Sequence, residues 1–81
     1  MHKQKQQQYR LQCHEIVYNI RIHFDDWFND IYDSQVEFIE QVELAFCQLC
    51  AVCTIAEFNI KDFLTEKEFN ICTEIIDKNI F

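Results

Sequence analysis

Three kinds of side chain in this sequence could do chemistry, and the carboxylates are the most concentrated. The stretch DDWFNDIYDSQVEFIEQVE carries Asp25, Asp26, Asp30, Asp33, Glu37, Glu40 and Glu43 without one Lys or Arg. With Glu57 added, eight acids lie between Arg21 and Lys61 and no Lys or Arg interrupts them. An EF-hand calcium loop would need alternating oxygen ligands and a Gly at its sixth position, and Asp25 to Asp30 supply neither. Glu37, Glu40 and Glu43 recur at i,i+3 with no base to offset them, which costs a helix a few tenths of a kcal/mol per like-charged pair. A negative field that is kept at such a cost suits a basic partner, because it speeds encounter with that partner and selects against acidic ones. The plainer alternative is a solvated face that confers solubility.

The thiols come next. Cys47-x-x-Cys50-x-x-Cys53 has the spacing of a cluster or zinc motif, but metal-binding versions of such runs sit on irregular loops that let the thiolates converge. Here the run falls inside a helical pattern. A helix turns about 60° away from register at each three-residue step, so Cys47 and Cys53 point about 120° apart. A pair such as Cys50 and Cys53 with Cys72 or His14 could in principle make a zinc site. Packing as small apolar residues is the expected role, with regulatory oxidation a minor alternative. His14 and His23 are expected to be structural, since no Glu-x-x-His pair of the carboxylate-metal bundle kind is present. No Ser or Cys stands at an elbow-like turn and no Gly-built oxyanion loop exists. Neither catalysis nor a cofactor is expected, and no metal site.

Apolar residues in unexpected places form the third group. Trp27, Phe24 and Phe28 read as core. Tyr18, Ile22 and Tyr32 fall away from the main apolar stripe and are candidates for partner anchors, the residue types that dominate interface energetics. Leu44, Ala51 and Ile55 lie in LAFCQLCAVCTIA, which is apolar almost all round and needs a cover that two neighbouring helices cannot provide. A second copy of the chain is the simplest cover, so a homodimer is expected.

The elements that must position these residues are helices. There is no Gly and no Pro in the 81 residues. Primed turns, bulges and phosphate-cradling loops are therefore very hard to build or excluded. The repeat of Tyr9, Cys13, Ile16, Val17, Ile20, Phe24, Trp27, Phe28 and Ile31 predicts a long first helix at about 4–32. Such a helix would be about 45 Å long in a domain expected to be about 30 Å across. It must either bend, best at His23 to Asp26, or make the molecule elongated. Ser34 followed by Glu37 forms a capping box for a second helix at about 35–57. Its seam of Ile39, Val42, Phe46, Leu49, Cys53 and Ala56 is spaced 3, 4, 3, 4, 3, and a tight turn makes an antiparallel hairpin with the first helix. LTEKEF supplies a second box, Thr65 with Glu68, and a Leu64–Phe69 staple for a third helix at about 66–79. That helix carries Phe69, Cys72, Ile75, Ile76 and Ile80 inward and a Glu74–Lys78 pair. Phe58, Ile60 and Phe63 in the connector should tuck beneath. The expected architecture is an all-α, small three-helix bundle, one domain over residues 1–81, with 1–8 as a polar start prone to fraying.

A net charge of −7 argues against direct binding of nucleic acid, whose affinity rests on phosphate neutralisation, and against anionic membranes. MHKQKQQQYR lacks the apolar segment of a signal peptide. No window approaches the roughly 18 to 20 uninterrupted apolar residues of a membrane span. An odd set of five cysteines within helical patterns fits a reducing compartment. The expected location is intracellular and cytoplasmic, the host-cell cytoplasm if the protein is viral.

In its small size, acidity and Gly-free helical pattern the chain resembles the inhibitors that phages carry against host nucleases and nucleic-acid machinery, some of which place carboxylates where phosphates would sit. That resemblance implies a non-catalytic binder that blocks a basic groove on a nuclease or CRISPR-type effector, an anti-CRISPR or nucleic-acid-mimic role. Asp26, Asp30, Asp33, Glu37, Glu40 and Glu43 would carry the charge. The alternatives are an immunity or antitoxin protein neutralising a toxin nuclease, and a structural subunit of a larger assembly.

Overall fold

Cys13, Val17 and Ile20 are spaced to share one side of a helix, and in the computed structural model, which describes residues 3–79, all three are buried. They belong to α1 (Lys3–Phe28), which is followed by α2 (Gln35–Ala56), a 3-10 turn at Ile60–Asp62, and α3 (Glu66–Asn79). The described residues are helical with no strand. The helix α1 runs 26 residues without a break at His23 to Asp26 and is already helical at Lys3. The molecule is elongated, 43 × 26 × 19 Å.

The first helix stops at Phe28 rather than near residue 32, and the cause lies in the backbone. Asp30 adopts the left-handed conformation with φ 60°. The Ile31 N–H then donates to the Asp26 carbonyl at 2.9 Å and the Asp30 N–H to that of Trp27 at 3.1 Å. This six-to-one and five-to-two pair is a Schellman closure, made here with Asp where Gly is usual. Apolar periodicity continued past the turn, but the helix did not. Ile31 is consequently 63% exposed and Phe28 84% exposed, and neither faces the core as their spacing predicted.

Ser34 caps α2, its Oγ accepting from the Glu37 N–H at 3.4 Å. The predicted seam is the inner side of α2: Val42, Phe46, Leu49, Cys53 and Ala56 are buried with Phe38, and Ile39 packs beside them. Contacts pair Cys13 with Cys53 and Trp27 with Phe38. At its far end α2 closes as α1 did, with Glu57 left-handed at φ 60° and the Phe58 N–H donating to the Cys53 carbonyl at 2.8 Å. By length and composition alone α2 could cross a membrane, with a mean hydropathy of 1.5 over its most apolar window. A core helix of a soluble protein meets the same criterion, and seven of its residues are buried in this core.

Beyond α2, Asn59 caps the 3-10 turn by accepting from the Lys61 N–H at 3.0 Å. Phe63 and Leu64 are buried, while Phe58 and Ile60 pack against the core from its margin. Arg10 lies over the Phe58 ring at 5.1 Å, and Lys61 over Phe69 at 5.3 Å, so the basic side chains at this end cover aromatic surface. The α3 box closes in both directions: Glu68 N–H donates to Thr65 Oγ1 at 3.1 Å and Thr65 N–H to Glu68 Oε1 at 2.9 Å. Phe69 meets Phe46 at 5.8 Å. Ile80 and the Lys78 side chain lie outside what the structure describes.

Candidate functional site

The turn between α1 and α2 gathers the acidic stretch. Asp25, Asp30, Asp33, Glu37 and Glu40 are exposed, and Asp26 and Glu43 are half-buried. Asp26 from the end of α1 and Glu37 from the start of α2 both act electrostatically on the Tyr32 hydroxyl. Burial first, then those two carboxylates, raise the Tyr32 pKa and keep the phenol protonated. The phenol is hydrogen-bonded to His23 Nδ1. Glu40 and Glu43 lie one and two turns further along α2.

Of the three candidate anchors, only Tyr18 stands clear of the bundle, at 67% exposure. Ile22 is half-buried. Tyr32 does not point away from the core as its place in the helical pattern predicted. The α1 closure swings it over Phe38, with ring centroids 5.5 Å apart in an edge-to-face arrangement. Its hydroxyl reaches His23 at the same time, so Tyr32 holds the turn together. Leu44 and Ile55 are 60% and 57% exposed on the outer face of α2. Ala51 shares that face and also lines a shallow groove against Gln12 and Ile16 of α1.

The cysteines have unlike surroundings. Cys47 is exposed, Cys50 half-buried and Cys53 buried, all as free thiols. Cys53 meets Cys13 across the α1–α2 interface with sulfurs 3.9 Å apart. Burial pushes the thiols of Cys53 and Cys72 up to about 12 and raises those of Cys13 and Cys50. Such thiols stay protonated and unreactive at neutral pH. Among the described residues no three His, Cys, Asp or Glu side chains are grouped to hold a metal ion. His14 is exposed and meets the Phe63 ring edge-on at 5.2 Å.

Sequence reasoning missed two features. The first is a tie from α1 to α3: Arg21 Nε donates to Glu68 Oε2 at 2.7 Å and its terminal nitrogen to Oε1 at 3.0 Å. Arg21 and the Thr65 cap together hold the Glu68 carboxyl down at about 2. Arg21 is the last Lys or Arg before the long acidic stretch, but its partner lies 47 residues away, beyond the reach of local spacing. The second is an apolar cleft of about 360 Å³ between the three helices. Its walls are Phe24, Trp27 and Phe28 of α1, Phe38 and Ile39 of α2, and Ile75 of α3. Trp27 stacks on Phe38 at 4.8 Å and 19° yet remains 38% exposed. Residues 28 and 75 belong to helices that touch little in this region, so spacing along one helix could not show the gap. No protein family, curated protein or solved structure matches this chain.

Proposed function

We propose that this chain is a non-catalytic acidic binding protein, an inhibitor of the phage or mobile-element kind, whose helical-hairpin tip blocks a basic nucleic-acid-binding surface of a nuclease or CRISPR-type effector. One observation carries the reading: seven carboxylates from Asp25 to Glu43 flank a single turn, and no Lys or Arg stands between Arg21 and Lys61. The arrangement as an antiparallel hairpin is supported by the Cys13–Cys53 and Trp27–Phe38 pairings. Asp30, Asp33, Glu37 and Glu40 offer exposed charge to a partner, and Asp26 adds to the field from a half-buried position. Such a field competes with a phosphate backbone for the same Lys and Arg side chains. Capture of partners from the native host with tagged protein, identified by mass spectrometry, tests this. A basic nuclease or nucleic-acid-binding protein is expected, bound with an affinity that weakens at least tenfold between about 0.1 and 1 M salt. An affinity that stays flat over that range rejects the electrostatic mechanism.

A second reading, a homodimer or a subunit of a larger assembly, is favoured by the outer face of α2. Leu44 and Ile55 are more than half exposed there, with Cys47 and Ala51 between them. Sedimentation separates the two: a dimer that Leu44→Glu converts to monomer supports this reading, and a monomeric parent protein rejects self-association.

A further inference from the structure

Two of the free thiols meet across the hairpin. Cys13 of α1 and Cys53 of α2 are 40 residues apart in the sequence, and their sulfurs lie 3.9 Å apart. Both belong to the core, at 0% and 4% exposure. Among the described residues no other two sulfurs are in hydrogen-bonding contact. A disulfide holds its sulfurs about 2 Å apart, so each would move by about 1 Å, a rotation about its Cα–Cβ bond and not a shift of a helix. Helices packed about 8 to 10 Å apart, with Cα atoms about 2.3 Å from each axis, keep directly facing Cα atoms within the about 6.8 Å that a disulfide spans. The other thiols are worse placed for Cys53. Cys50 is one turn away on the same helix, where side chains diverge by about 60° and Cβ atoms stand about 5 to 6 Å apart, against about 3.8 Å in a disulfide. Cys47 is exposed on the outer side of α2, and Cys72 on α3 has Cys50 as its thiol neighbour.

We infer that Cys13 and Cys53 form a disulfide that staples α1 to α2 when the chain folds in the presence of a small-molecule disulfide oxidant such as glutathione disulfide. One cysteine thiolate attacks a sulfur of the oxidant, which makes a mixed disulfide and releases one glutathione thiol. The other thiolate attacks the protein sulfur of that mixed disulfide, which closes the bond and releases the second. The two cysteines give up two protons and two electrons in all, and the oxidant becomes two thiols. Neither step has room in the finished core, where both sulfurs are out of reach of solvent. Exchange therefore belongs to the open hairpin, before packing buries the pair. Burial then shields the closed bond from reductants. In a reducing compartment the two remain packed thiols. The ring encloses residues 13–53, and with them the whole acidic stretch and its turn. A ring of this size acts mainly by restricting the unfolded chain, and an 81-residue bundle has a thin margin of stability without it.

The full chain, unfolded in urea with reductant, is refolded with and without a mixture of reduced and oxidised glutathione, and free thiols are then blocked with iodoacetamide. Trypsin leaves Cys13 as the one cysteine of peptide 11–21 and Cys53 within peptide 22–61. Mass spectrometry should find these two peptides joined after refolding with the oxidant, and fragmentation should place the link at Cys53. The oxidised chain should show a folded-to-unfolded ratio about tenfold or more above that of the reduced chain at the same urea concentration. Folded, reduced chain placed in the same mixture should form the bond about tenfold more slowly or less. Cys47→Ser removes the exposed thiol and should change none of this, whereas Cys13→Ala should abolish the effect of the oxidant. If Cys13→Ala does not fold, the peptide map of the parent chain decides alone. Cys13 left free for alkylation, or joined mainly to Cys47, Cys50 or Cys72, overturns the inference. A Cys13–Cys53 link that leaves the ratio unchanged or lowers it overturns the staple, and equal rates from folded and unfolded chain overturn its assignment to folding.

Discussion

The two ends of the bundle use carboxylates in opposite ways. At the start of α3, Glu68 accepts two bonds from Arg21 and one from the Thr65 N–H, so its charge is matched within the fold. The bases nearby are also occupied, with Arg10 over Phe58 and Lys61 over Phe69. At the α1–α2 turn, seven acids have no Lys or Arg in their own stretch, and the aromatic surface beside them is open. Charge at the first end serves folding. At the second, five of the seven carboxylates, Asp25, Asp30, Asp33, Glu37 and Glu40, are exposed to solvent.

The comparison breaks first at apolar positions. Leu64 is 1% exposed at the closed end, and Leu64→Ala is expected to cost about 2 to 5 kcal/mol. Phe28→Ala at the open cleft should cost less than about 1 kcal/mol, because the ring is mostly in water already. Urea denaturation measures both. Comparable losses would mean that the cleft is part of the core and that the two ends do not differ.

Glu68 sharpens the contrast through pH. Its carboxyl sits at about 2 in the folded chain against an ordinary 4.5. A depressed folded value means the stabilisation is fully present above about 4.5 and is lost as pH falls through about 2. Arg21 is half exposed, so solvent screening limits the contribution to about 1 to 2 kcal/mol. Glu68→Gln should lower stability by that amount at neutral pH and flatten the acid limb of the stability curve. An unchanged acid limb would show that the pair contributes nothing.

The left-handed caps give a smaller effect, of the opposite sign. Glu57→Gly should stabilise by about 1 kcal/mol, since Gly takes the left-handed conformation without a Cβ clash and the change removes a carboxylate from the C-terminal end of α2. Asp30→Gly should gain less, because Asp tolerates that conformation better. These positions also show how far the fold was legible. With no glycine to mark a helix end, the α1 stop was hidden and Ile31 continued the apolar rhythm past it. The informative residues were Asn29 and Asp30, the types other than Gly that adopt left-handed caps. The caps at Ser34 and Thr65, by contrast, marked the starts of α2 and α3 because side-chain capping is local in sequence; the full box closes only at Thr65 and Glu68. For the same reason the acidic tip was visible and the cleft was not: the tip is one contiguous stretch, whereas the cleft needs Phe28 and Ile75 brought near each other across three helices.

The smallest expected change in stability carries the most weight for function. Glu37→Gln with Glu40→Gln removes two exposed carboxylates and two i,i+3 repulsions, Glu37 with Glu40 and Glu40 with Glu43. It also removes a charge from the first turn of α2, where the helix dipole favours it. These effects oppose each other, so stability should move by no more than about 0.5 kcal/mol. Affinity for a Lys-rich peptide should nevertheless fall several-fold at low salt, and its dependence on ionic strength should become shallower. Titration of that peptide into parent and double variant at two salt concentrations measures both. A large loss of stability would mean that the tip acids hold the turn, as Glu68 holds the start of α3, and the division between the two ends would not stand. Unchanged affinity with unchanged stability would make Glu37 and Glu40 a solvated face, leaving any charge contribution to Asp25, Asp26, Asp30 and Asp33.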